Sequence, residues 1–141
     1  MRSGRGRGRR GGRGDRVSRK AARRTALFLL YQWDVTGQPL ASLYEGDVDE
    51  WARTTAEEVA ADAPDLDRRV TEAAEGWRAE RLGAVERNIL RIALHELDGE
   101  EVPDEVAIDE AVTLAKRYAT EDAARLVNGI LGRIVREKAA R

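Results

Sequence analysis

The sequence predicts an all-α protein of about seven helices. Beyond a basic head the chain is dominated by Ala, Leu, Glu and Arg, and Pro occurs only at 39, 64 and 103. No run alternates apolar with polar residues long enough for a strand. Residues 18–141 are enough for one domain, burying roughly two-thirds of the surface that its unfolded chain exposes. Residues 1–17 are read separately, as an arm.

Taken in order, helix one starts at Ser18 as N-cap and stops at Gly37, because Ala22, Ala26, Leu29, Leu30 and Trp33 recur at helical spacing between them. Its apolar stripe thickens into Leu27-Phe28-Leu29-Leu30-Tyr31. Pro39 to Tyr44 suggests a short helical turn. Asp47 with Glu50 three residues on resembles a capping box, opening a helix that carries Trp51, Thr55 and Val59 and ends before Pro64. Leu66, Val70, Ala73, Ala74 and Trp77 form a further stripe over 65–77, followed by the charged stretch Arg78 to Arg81. Val85, Ile89, Ile92, Ala93 and Leu97 give the strongest periodicity, a central helix over Ala84 to Asp98 closed by Gly99. After Pro103, Ile108, Ala111, Val112 and Ala115 face inward on the next helix, with acids early and Lys116-Arg117 late, as the macrodipole prefers. Thr120 caps a last helix whose apolar side holds Leu126, Val127, Ile130, Leu131 and Ile134.

Charge divides the chain more sharply than hydropathy does. Eleven of the first twenty-four residues are Arg or Lys and only Asp15 is acidic, whereas the remainder holds fourteen bases against twenty-five acids. The formal net charge of −1 therefore sums a cationic head and an anionic body, which suit a polyanion and a protein partner respectively. Met1 to Arg16 is almost all Gly and Arg, with no large apolar side chain to offset the entropy of ordering, so a disordered arm is expected there, of a kind that tracks nucleic-acid backbones. Arg9-Arg10 is a twin-Arg pair, yet no apolar run of secretory length follows and no segment approaches a membrane span. A soluble, cytoplasmic protein without a membrane contact is expected. The absence of cysteine excludes a disulfide scaffold and a Cys-ligated zinc site.

Arg19, Lys20 and Arg23 share one face of helix one by the i, i+3, i+4 rule. They lie at the helix N-terminus, where each positive charge costs about 0.3–1 kcal/mol unless an anion offsets it. That placement points to a phosphate or carboxylate ligand.

No catalytic constellation is legible. His95 precedes Glu96 on the central helix, and adjacent helix positions point about 100° apart, a poor arrangement for a base and its orienter. No nucleophile elbow, phosphate-binding Gly loop or metalloprotease spacing occurs. Asp109-Glu110 and Glu121-Asp122 are read as helix N-terminal acids that complement the dipole. Neither a metal nor another cofactor is expected. Asn128-Gly129 interrupts an apolar helical run at a cost of roughly 1 kcal/mol. Either a neighbouring helix approaches closely over Gly129, or Asn128 makes a polar contact to a ligand.

The strings RRTALFLLYQWD, VERNILRIALHEL and VPDEVAIDEAVTLAKRYATEDAARLVNGIL resemble the bacterial NusB family of transcription antitermination factors, in order and over roughly residues 18–135. The resemblance implies two small packed helical bundles, no enzymatic activity, and binding of single-stranded boxA RNA together with NusE, a ribosomal small-subunit protein. The resulting complex on RNA polymerase suppresses termination, particularly of ribosomal RNA operons. By motif position the resemblance assigns RNA contacts to Arg19, Lys20, Arg23 and Gln32, an acid beside the RNA to Asp122, and a NusE contact to Glu86. Departures from the family pattern are Ala21 and Arg24 among the basic positions, Asp109 for Asn, Leu126 for Phe and His95 for Tyr.

Two other readings stand beside this one. In the first, a protein-interaction module carries an arm that binds any nucleic acid. The second is enzymatic, because a NusB-like module precedes the catalytic domain of some ribosomal RNA methyltransferases, although no nucleotide-binding βαβ pattern occurs here. Oligomeric state stays open, a homodimer included, since some relatives self-associate.

Overall fold

The computed structural model describes residues 18–75 and 78–140. The arm of residues 1–17 and Trp77 lie outside them. The described chain holds five α-helices: α1 (Arg19–Thr36), α2 (Glu50–Ala73), α3 (Ala84–Asp98), α4 (Asp104–Tyr118) and α5 (Glu121–Ala139), with short 3-10 turns at Leu40–Leu43 and Ala79–Arg81. The all-α class holds, and the count of seven does not.

The discrepancy lies at Pro64, where the sequence implied a break and α2 continues. Proline removes one backbone hydrogen bond and crowds the carbonyl four residues back. Here its ring is exposed, while Ala52, Ala56, Val59, Ala63, Leu66, Val70 and Ala73 form one buried stripe that keeps helical phase across it. Two helices broken at Pro64 would lose that common phase, and burial outweighs the local penalty. Pro64→Ala should therefore raise stability by about 2 kcal/mol, the difference between roughly 3 for proline in a helix and the 0.4–1 returned by a freer unfolded chain. A urea midpoint at or below that of the parent chain would disprove it.

Most helix ends follow local chemistry. The Ser18 hydroxyl accepts the Ala21 amide at 3.1 Å, and Thr120 accepts that of Ala123 at 2.9 Å. Gly37 closes α1 with φ 74°, a left-handed conformation that side chains disfavour, and donates its amide to the Trp33 carbonyl. The cap of α2 is Asp49, not Asp47, its carboxylate accepting the Ala52 amide at 3.0 Å. Asp109-Glu110 also departs from expectation. Because α4 begins at Asp104, the pair lies in the second turn, and Asp104 and Glu105 take the dipole-facing positions.

Helix α3 packs against all four others, and Ile89, Leu90, Ile92, Leu94 and Leu97 stand at the centre of one apolar cluster joined by every helix. Charged groups lock its N-terminal half to α1 and α2. Asp34 accepts from Arg87 Nε (2.8 Å), Asn88 Nδ2 (3.0 Å) and Arg91 (3.1 Å), while Arg91 grips Asp67 with two bonds of 2.8 and 2.6 Å. Asn88 is fully buried, and its oxygen accepts from Arg91 at 2.9 Å. Such a fully partnered network fixes the register of α1 on α3, because an unpaired member would carry an uncompensated desolvation cost. Among the described residues no helix is long and apolar enough to cross a membrane.

Candidate nucleic-acid and protein interface

The first two turns of α1 do not present their bases equally. Arg19 is exposed and lies with its guanidinium 4.5 Å from the centre of the Trp51 ring, a cation–π stack on α2. Lys20 projects outward with its side chain 65% exposed, meeting Glu110 of α4 at 2.8 Å. The ammonium is solvated whereas Glu110 is only 19% exposed, so a phosphate that takes up Lys20 leaves Glu110 facing Arg23 at 3.8 Å.

Arg23 is a different object. It is 4% exposed, and its Nε and terminal nitrogen donate to both oxygens of Glu96 on α3 at 2.9 and 2.7 Å. Glu110 stands 3.8 Å from its other nitrogen. Burial alone would lower the Arg23 pKa, but the hydrogen bond and charge of Glu96, with the charge of Glu110, outweigh it and raise the pKa. Its fork is committed to α3, so Arg23 anchors the basic turn instead of offering a free cation. Arg24 instead follows Lys20 by one helical turn, away from the core.

The second half of α1 exposes apolar surface. Phe28, Tyr31 and Val35 are 45, 40 and 56% exposed, and Val106 on α4 is 39% exposed. Phe28 meets Tyr118 edge-on, with centroids 5.2 Å apart at 87°, and the Arg117 guanidinium lies 5.4 Å from the Tyr118 ring. By sequence Phe28 and Tyr31 belong to the apolar stripe of α1, and the structure exposes them. The signal for that exposure was available: five consecutive apolar residues at 100° per step cannot all face one side of a helix. Gln32, one turn after Phe28, is also exposed. Lys20, Arg24, Phe28 and Tyr31 therefore form one outward stripe, cationic at its start and aromatic further on.

Two other expected positions are separate from that stripe in sequence. Glu86 lies in the first turn of α3, half-buried, with its carboxylate folded over Gly83 so closely that a Cβ there would meet its oxygen at 2.8 Å. The next two residues, Arg87 and Asn88, both bind Asp34 of α1. Asp122 is exposed in the first turn of α5 and pairs with Arg125.

At Asn128-Gly129 both residues are exposed, and nothing lies within 4 Å of a Cβ built on Gly129. Close helix approach is thereby excluded as the reason for that glycine. His95 and Glu96 do not cooperate: Glu96 is taken by Arg23, and His95 Nε2 faces Glu58 at 3.2 Å. Among the described residues no three acids or histidines gather to hold a metal.

The chain matches the NusB family over residues 20–136. It is similar to the transcription antitermination protein NusB of Rubrobacter xylanophilus, with 42% identity over 122 residues covering 82% of this chain and 88% of that protein. Its similarity to the NusB of Symbiobacterium thermophilum is 40% over 141 residues, covering 85% and 90%. Among solved structures it resembles T. maritima NusB, with a TM-score of 0.77, 33% identity and coverage of 86% and 93%. It also resembles a chain in the crystal structure of antitermination factors NusB and NusE in complex with dsRNA, with a TM-score of 0.72, 30% identity and coverage of 84% and 96%.

Proposed function

Because this chain belongs to the NusB family, we propose that it is a transcription antitermination factor that binds boxA RNA together with NusE. It acts within an RNA polymerase complex of the cytoplasm, by binding and not by catalysis. The observation that carries this reading is the outward stripe of α1, whose charged half suits phosphate and whose aromatic half suits a protein. In family terms the molecule divides into two small bundles, α1–α2 and α3–α5, which share one apolar core through α3.

Lys20 supplies a phosphate contact from the stripe in this reading and Arg19 a second from the neighbouring face, where it stacks on Trp51, with Gln32 an amide that can read a splayed base and Arg23 the support beneath them. Asp122 borders the RNA and restrains affinity by repelling phosphate. Phe28, Tyr31 and Val35 of α1, together with Glu86 of α3, receive NusE. A basic ribosomal protein is electrostatically matched to a body that carries twenty-five acids against fourteen bases beyond residue 24.

Fluorescence anisotropy of a boxA-type RNA against its scrambled version, with and without NusE across a salt series, tests this function. Selective binding strengthened by NusE is expected, with log K falling against log salt at a slope near −3 if about four phosphates are neutralised. Lys20→Ala should reduce that slope by about 0.7 and weaken both RNAs alike, because a phosphate contact positions without specifying sequence. Asp122→Asn should tighten RNA binding, and an unchanged dissociation constant would remove Asp122 from the RNA face. The Gly/Arg head favours one competing reading, an interaction module with an unselective arm. Equal binding to both RNAs, indifferent to NusE and lost on deleting residues 1–17, would establish that reading instead.

A further inference from the structure

A groove runs between the first half of α2 and the C-terminal end of α3 with the loop after it. Its two lobes, about 630 and 540 Å3, share Trp51, Glu58, His95 and Glu101 as lining, with Glu50 at one end and Asp62 at the other. Three further acids on its wall are already matched, Asp49 by the Ala52 amide, Glu96 by Arg23 and Asp98 by two bonds from Arg69. Among the described residues no arginine or lysine pairs with Glu50, Asp62, Glu100 or Glu101, and Glu58 meets only His95. The groove thus joins an aromatic wall to a strongly negative rim.

Arginine is the side chain that such a surface accepts, and one is already seated there: Arg19 lines the groove and stacks on Trp51. Arg19 is also where the N-terminal segment enters α1. The sixteen residues Met1 to Arg16 carry seven arginines against the single Asp15, and the described chain starts at Ser18, next to Arg19 in the groove lining. Extended at about 3.3 Å per residue they reach on the order of 50 Å, several times the span of either lobe. Their interleaved glycines let the backbone lie close to the wall. Covalent attachment holds them there at a high effective concentration. We propose that the Gly/Arg segment of residues 1–16 docks back into this groove, so that its arginines are held on the protein's own carboxylates until a polyanion competes for them. Exposed ion pairs are individually weak and screened by salt, which makes the docking reversible.

The full chain has no cysteine, so Ser3→Cys creates a unique attachment point for a nitroxide. Paramagnetic broadening of backbone amides is then read at low salt and again near 1 M salt, where the screening length falls to about 3 Å. The expected result is loss of the Glu58, Asp62 and Glu101 amide signals at low salt with Tyr31 and Asp122 retained, and recovery of the lost signals at high salt. Glu50→Gln, Asp62→Asn and Glu101→Gln introduced together should restore those signals at low salt, with the rest of the amide spectrum confirming the fold. Broadening spread evenly over the surface, centred elsewhere, unmoved by salt, or unmoved by the triple substitution in a folded chain would overturn the proposal. RNA takes no part in the measurement, so its outcome is separable from the antitermination reading.

Discussion

Arg23→Ala is expected to lower the free energy of unfolding by about 3–5 kcal/mol, because it strands a carboxylate that the fold has already desolvated. In the Arg23–Glu96 pair both side chains are 5% exposed, and the bidentate geometry satisfies both oxygens of Glu96. Removing the guanidinium leaves Glu96 to ionise against an apolar surround or to take up a proton, and either route costs stability. Arg23→Lys should rescue only part of the loss, since an ammonium cannot reproduce the planar fork. Replacing both partners, Arg23→Met with Glu96→Leu, should recover most of it, as a buried pair is worth little against well-packed apolar side chains. Urea unfolding gives the stabilities, and RNA affinity measured well below the transition separates two roles for Arg23. Lys20→Ala supplies the contrast: it should change stability by less than about 0.5 kcal/mol while weakening RNA binding. Should Arg23→Ala instead unfold like the parent and lose RNA affinity as Lys20→Ala does, Arg23 is a ligand contact and Glu96 a solvated acid.

This contrast marks where the sequence stops being legible. Ser18, Gly37, Thr120 and the bounds of α3 were readable because caps and stops act over three or four residues. At Pro64 the local penalty is visible in the sequence and the burial that overrides it is not. Arg19, Lys20 and Arg23 look equivalent on a helical wheel. What separates them is Glu96, seventy-three residues further on, and Trp51, whose ring takes Arg19. The Asn128-Gly129 anomaly is visible in the sequence, but only the empty space over Gly129 removes the packing explanation. The groove beside His95 left no sequence signal at all, since its acids come from α2, α3 and the following loop, and each reads singly as an ordinary solvated carboxylate.

Phe28→Ala and Tyr31→Ala, introduced together, should weaken NusE binding a few hundredfold, a loss of about 3–4 kcal/mol. Aromatic anchors dominate interface energies, and each should cost about 2 kcal/mol alone, with the pair less than additive because the rings are neighbours. The exposure of Phe28 and Tyr31 sets the folded-state cost low: with 45 and 40% of their surface in water, neither contributes to the core as Leu27 or Leu30 does. Phe28 does lose its edge-on contact with Tyr118, worth about 0.5–1.5 kcal/mol, so stability must be measured beside affinity. Tyr31→Phe is the control for shape, retaining the ring without its hydroxyl. Glu86→Gln should act differently from either aromatic, slowing association and flattening its salt dependence without much change in the dissociation rate, as expected for a charge at the rim. RNA affinity without NusE should change little in the double variant, because the phosphate-facing bases Arg19 and Lys20 lie two turns earlier on the helix and the Gln32 amide, beside the two rings, is retained. If NusE affinity stays within about threefold of the parent, less than 1 kcal/mol, the aromatic half of α1 is not the docking surface. If RNA affinity falls with it, the two rings instead stack on bases and the stripe serves a single ligand.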